Sequence, residues 1–112
     1  MPVRSKRLAV GFSGAANTEV VVYTVPAGRT TIVKDVRFAN TGSTSVTAYL
    51  IAQRPGPPGV ILAGPLVLAG AATGGASLWN VLSPGDTLRI LCNVTQGVAF
   101  WVSGAELDGV AV

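Results

Sequence analysis

The chain has 112 residues and a mass of 11.3 kDa, which is room for one domain. Hydrophobic residues make up 49 % and charged residues 12 %, about half the usual charged share, with a mean hydropathy of +0.54 and a net charge of +3. This balance excludes disorder, and the absence of histidine removes the commonest general base and metal ligand, so composition argues against an enzyme.

The chain opens on a basic cluster, Arg4, Lys6 and Arg7. Residues 1–6 are expected to form a basic arm. These three cations, together with Arg54, are candidates for docking on an acidic surface. The apolar run that follows, residues 8–12, is shorter than the roughly 7–15 residues of a secretory signal core, so no signal peptide is expected. From there the pattern is period two, punctuated by turn residues.

Strands are expected at about residues 7–12, 19–25, 30–40 and 46–53. Pro26-Ala27-Gly28 and Thr41-Gly42-Ser43-Thr44 serve as turns. In the third strand Ile32, Val36 and Phe38 share an apolar face, and Lys34 interrupts it. Three prolines at 55, 57 and 58 make the next segment a loop. Residues 60–63 and 66–69 read as two short strands, 70–75 as a flexible loop, and 76–82 as another strand. Ser83-Pro84-Gly85-Asp86 turns into a final pair, 87–94 and 98–104, expected to be a hairpin with a tail that extends it.

No charge falls between Arg54 and Asp86, and residues 60–82 are long enough to cross a bilayer. Pro65, the clustered glycines and the strand periodicity on both sides argue against a span, and no membrane partner is expected. The whole reads as a single all-β domain over residues 1–112: an antiparallel β-sandwich or jelly roll of about eight short strands.

Chemistry-bearing constellations are missing. Cys92, the only cysteine, sits on the apolar side of its strand, and without histidine it has no Cys–His catalysis open to it. A buried thiol fits assembly in a reducing cytoplasm. The five acids, Glu19, Asp35, Asp86, Glu106 and Asp108, form no metal-ligand pattern. Gly70-x-x-x-Gly74-Gly75 lacks the Lys-Ser/Thr of a phosphate loop. No catalytic, cofactor or metal residue is therefore assigned. The scattered basic residues come with no aromatic-rich run, so no direct nucleic-acid partner is expected.

The apolar excess does carry information. Tyr49, Ile51, Leu91 and Trp101 alternate out of the expected core and are candidates for a subunit interface. Trp79, Trp101, Tyr23 and Tyr49 could instead build a stacking platform for a sugar.

Two stretches carry a resemblance. Tyr23-Thr24-Val25-Pro26-Ala27-Gly28-Arg29-Thr30 leads to Asn40-Thr41-Gly42. Later, Leu82-Ser83-Pro84-Gly85-Asp86-Thr87-Leu88 precedes a strand that ends Val102-Ser103-Gly104-Ala105-Glu106. The pattern resembles small β-sandwich structural proteins of tailed-bacteriophage virions, of the head decoration (cement) or fibre type. The resemblance covers about 80 residues and implies a non-enzymatic virion component. The expected partners are other copies of the chain, as a homotrimer, and the major capsid protein or another virion protein. The alternative is a tail or neck fibre or carbohydrate-recognition module.

Overall fold

The computed structural model describes residues 3–55, 59–94 and 97–108, with the side chains of 3–6 and 108 left out. Eight strands follow in chain order: β1 (Val3–Phe12), β2 (Val20–Thr24), β3 (Arg29–Asn40), β4 (Val46–Gln53), β5 (Gly59–Leu68), β6 (Thr73–Leu82), β7 (Thr87–Cys92) and β8 (Val98–Asp108). They form two four-stranded antiparallel sheets, β1-β8-β3-β6 and β2-β7-β4-β5. The pairing is nested: first with last, second with seventh, third with sixth, fourth with fifth. A chain paired in this way and rolled into two facing sheets is a jelly roll. The expected fold class holds.

The core lies between the sheets. Val36, Phe38, Phe100 and Val102 from one sheet meet Ala48, Leu50, Leu88 and Ile90 from the other, all at most 5 % exposed. Alternation puts these residues inside, and each buried Leu, Ile or Phe contributes about 1.5–3 kcal/mol. Cys92 is buried in the same layer.

β-Bulges in β1, β2, β3 and β5 shift the phase of that alternation. Pairing with β8 slips by one across Lys34, between Val33 and Asp35. In consequence Val33, which simple alternation turns outward, is fully buried, while Ile32 is only half-buried and Lys34 is exposed. A second bulge lies across Leu8 in β1 and tucks Leu8 into the core. Another lies in β5, where the register jumps from Leu66 to Ala63, so Pro65 sits at an irregularity of an edge strand.

Several expectations are corrected. The basic arm is, from Val3 onward, the first half of β1, because its backbone pairs with β8 as far as Leu107. The side chains of Arg4 and Lys6 lie outside the described residues, as do residues 56–58 of the proline loop and 95–96 of the turn before β8. Residues 60–82 are neither a span nor a pair of fragments with a loop. They form the two long strands β5 and β6, with Gly74 and Gly75 inside β6. Among the described residues no helix is long and apolar enough to cross a membrane. β7 and β8 are not a hairpin; they lie in different sheets.

Candidate interaction surfaces

The turn motifs converge at one end of the sandwich. In Pro26-Ala27-Gly28 the Arg29 N–H donates to the Pro26 carbonyl at 3.3 Å, and Gly28 has φ +74°. In Ser83-Pro84-Gly85-Asp86 the Asp86 N–H donates to the Ser83 carbonyl at 3.0 Å, and the Asp86 carboxylate accepts from the Ser83 N–H at 3.0 Å. The two turns are hydrogen-bonded to each other: Val25 N–H to the Asp86 carbonyl at 2.9 Å, and Gly85 N–H to the Val25 carbonyl at 3.1 Å. At the other end, buried Asn40 fastens the loops. Its amide donates to the carbonyls of Thr44 (2.7 Å), Leu68 (3.2 Å) and Ala69 (3.0 Å), and its oxygen accepts from the Gly42 N–H at 2.9 Å. The residues that carry the family resemblance thus act on the loops that join the strands.

Beside the first pair of turns, a polar cluster ties the sheets together. The Tyr23 hydroxyl, from β2, donates to Glu106 Oε2 in β8 at 2.5 Å, and it lies 2.8 Å from the hydroxyl of Thr31 in β3. Arg29 Nη1 stands 3.4 Å from Glu106 Oε1. Burial, and then the bond to the Glu106 carboxylate, push the Tyr23 phenol up to about 12. The hydroxyl joins β2 of one sheet to β3 and β8 of the other, so the cluster clamps the two sheets together. Among the described residues no group of three His, Cys, Asp or Glu is placed to hold a metal.

Two surfaces remain. The first is the outer face of the β1-β8-β3-β6 sheet. Register places Val10, Trp101, Arg37 and Gly75 in one row across it, Phe12, Ala99, Ala39 and Thr73 in the next, and Arg7, Ser103, Asp35 and Ser77 on the other side. Small residues at the centre and large ones at the β1 side leave an open hollow of about 460 Å³, lined by Val10, Phe12, Ala39, Ala99 and Trp101, with Arg37 and Thr73 at its polar border. Cations lie over both tryptophans: the Arg7 guanidinium is 5.1 Å from the Trp101 ring centre, and Lys34 Nζ is 5.3 Å from that of Trp79. Arg37 pairs with Asp35 at 3.2 Å, and the other Asp35 oxygen is buried with no hydrogen-bond partner. The described face therefore carries three cations against one carboxylate.

The second surface is the side of the sandwich where edge strands β5 and β6 face each other. Val60, Ile61, Val67 and Val81 are all more than half exposed there. A groove of about 740 Å³ runs along it, lined by Ala52, Val60, Leu62, Asn80, Val81 and Leu82, with Arg54 and Asp86 also on its wall. Both strands fall within the uncharged stretch of the sequence.

The four interface candidates do not gather. Tyr49 and Leu91 are register partners on the outer face of the second sheet, half-buried. Trp101 is exposed on the opposite face of the molecule. Ile51 points to the same side as Tyr49 but is only 6 % exposed. It is flanked by Arg89 and Ile61, and the close approach of Gly59 covers it. It is therefore not an exposed contact of the single chain. The docking candidates are likewise separated: Arg7 lies in edge strand β1, and Arg54 on the groove beside β5. Sequence reasoning passed over Val60, Ile61, Val67 and Val81, whose signal was the uncharged run itself. It also passed over Lys34 and Arg37 as companions of the tryptophans.

No family model matches the chain, and no curated protein matches it. Its fold matches solved structures. A structure of the infectious bursal disease virus Gx strain superposes with a TM-score of 0.58 at 11 % identity, over 94 % of this chain and 32 % of the other. The VP2 subviral particle of the same virus gives 0.56 at 11 % identity, over 94 % and 31 %. The chain thus spans about a third of the length of these structures. A pentameric capsid protein from metagenomic phage sequences overlaps more loosely, at 0.43 and 15 % identity. At such identities the likeness shows a shared fold, an eight-stranded jelly roll.

Proposed function

We propose that this protein is a non-enzymatic structural component of a virion, a phage head decoration (cement) protein that self-associates and binds the capsid surface. The observation that carries the reading is the jelly roll, which superposes over 94 % of its length on part of the infectious bursal disease virus structures, one of them a VP2 subviral particle. The turn motifs that resemble phage virion sandwiches agree with it. The β5–β6 side supports self-association. Edge strands are ordinarily guarded by charge, and these two carry none while exposing four large apolar residues besides Trp79. Their burial against another copy at about 25 cal/mol per Å² is a sufficient driving force. Tyr49 and Leu91 extend the apolar surface that an assembly has to cover. A homotrimer is the order of assembly implied by the resemblance, and capsid proteins are the partners.

The test is reconstitution. Purified protein is expected to sediment as a multimer and to bind expanded capsids that lack it. A monodisperse monomer that ignores such capsids at micromolar concentration overturns the reading.

One observation favours a second reading, a fibre or carbohydrate-recognition module. Trp79 and Trp101 are 68 % and 47 % exposed on the same sheet. Glycan-array binding that is lost on Trp79→Ala or Trp101→Ala would replace the cement reading with this one.

A further inference from the structure

The geometry points to the outer face of the β1-β8-β3-β6 sheet as a docking surface for an acidic, extended segment of a partner protein, anchored by an apolar side chain in the hollow beside Trp101. The inference rests on the virion reading only for the partner being a neighbouring structural protein. The chemistry of the surface stands apart from it.

Three observations select this occupant. First, the hollow is of pocket size and almost wholly apolar, with Arg37 and Thr73 the only charged or hydroxyl side chains on its wall among the described residues. A sugar, with a hydroxyl on most carbons, would leave polar groups unpaired there, whereas an aromatic or aliphatic side chain would not. Second, the hollow is bordered by cations. Arg37, two-thirds exposed, stands at its wall, and Arg7 lies over Trp101. Lys34, over Trp79, extends the positive field along the same sheet. Asp35 is bonded through Arg37 Nε, so a carboxylate that arrives from the hollow can take the Nη groups of the guanidinium.

Third, the charge excludes the simplest alternative, a second copy set face to face. A two-fold contact through this face would bring the three cations of one copy against the three of the other. The β5–β6 side carries no such penalty. The molecule therefore divides its contacts, with a neutral edge for its own kind and a basic aromatic face for something acidic.

Fluorescence anisotropy of the intact protein tests this, with a labelled eight-residue peptide of alternating Asp and Phe as probe. A Lys–Phe peptide of the same length, oligo-dT and alginate serve as comparisons. The Asp–Phe peptide is expected to bind, to weaken as salt is raised from 50 to about 300 mM, and to lose about tenfold or more on Arg37→Glu. Ala99→Leu, which fills the hollow without changing charge, is expected to cost as much. Circular dichroism of both variants shows whether the sandwich is intact, and sedimentation shows whether self-association is unchanged. Equal binding of the Lys–Phe peptide overturns the proposal. So does undiminished binding to a folded Arg37→Glu variant, and so does oligo-dT or alginate binding as tightly as the peptide. Failure of the peptide with a normal multimer refutes this face alone. A monomer that still binds the peptide refutes the proposed assembly alone.

Discussion

The outer face of the β1-β8-β3-β6 sheet and the β5–β6 side are both exposed and both rich in large apolar residues, yet they differ in charge. The first holds Arg7, Lys34, Arg37 and Asp35 around its tryptophans. The second is built from strands that carry no charge. A chain with few charges can still address its surfaces separately if it collects the charges on one of them. Apolar area supplies affinity on both, while charge decides which partner each accepts.

The largest effect would break the frame that both surfaces share. Gly104 lies in β8, between β1 and β3, and a Cβ there would strike the Ile32 carbonyl oxygen and crowd Leu8. The obstacle is backbone held in a ladder and cannot swing aside. Gly104→Ala is expected to destabilise by about 3 kcal/mol or more, read from urea denaturation, and to abolish both activities together.

Next in size is the double variant Ile61→Asp with Val81→Asp. Both residues are just over half exposed, so the fold should survive. Carboxylates placed along an interface between copies are expected to weaken assembly at least about a hundredfold, near 2.7 kcal/mol, by sedimentation velocity. Binding of the acidic peptide to the other face should not change. If assembly persists, the edge is not the interface.

The clamp comes third. Tyr23→Phe removes the donor to buried Glu106 and is expected to cost about 2 kcal/mol. It also has a pH signature. The folded-state phenol is raised from 10.0 to about 12, so the neutral form is favoured in the native state. That stabilisation is complete below the unfolded value near 10 and is lost as pH rises through about 12. The stability difference between wild type and Tyr23→Phe should therefore shrink over that interval in pH-dependent denaturation. A constant difference would mean that the phenol is not held by the carboxylate.

The smallest effect sharpens the contrast. Trp101→Ala removes an exposed ring stacked with Arg7 and is expected to cost only about 0.5–1 kcal/mol in thermal denaturation, while peptide binding falls. A cost of several kcal/mol would make Trp101 part of the fold rather than of a docking surface.

Much of this was legible in the chain. Strand β4 has the expected limits, and β3 begins one residue early. Both Pro-Gly turns hold, because proline presets φ and glycine accepts a positive φ whatever surrounds them. The failures cluster where phase or covering depends on another strand. Alternation carried through Lys34 turns Val33 outward, and the bulge at that point brings it into the core. Ile51 has the expected direction, but Gly59, Arg89 and Ile61 cover it. The expected β7–β8 hairpin failed because adjacency in sequence does not state which sheet each strand joins.

The sequence by itself determined an all-β sandwich, the position of most turns, and a chain poor in the groups that do chemistry, since these follow from local periodicity, backbone restriction and residue types. Only the tertiary structure decided the nested pairing of strands, the phase slips, and the sorting of the apolar excess into a neutral edge and a basic face. Those depend on contacts between residues far apart in the chain: Glu106 meets Tyr23 across 83 positions, and Arg7 meets Trp101 across the β1–β8 pair. No window along the chain contains both partners of either contact.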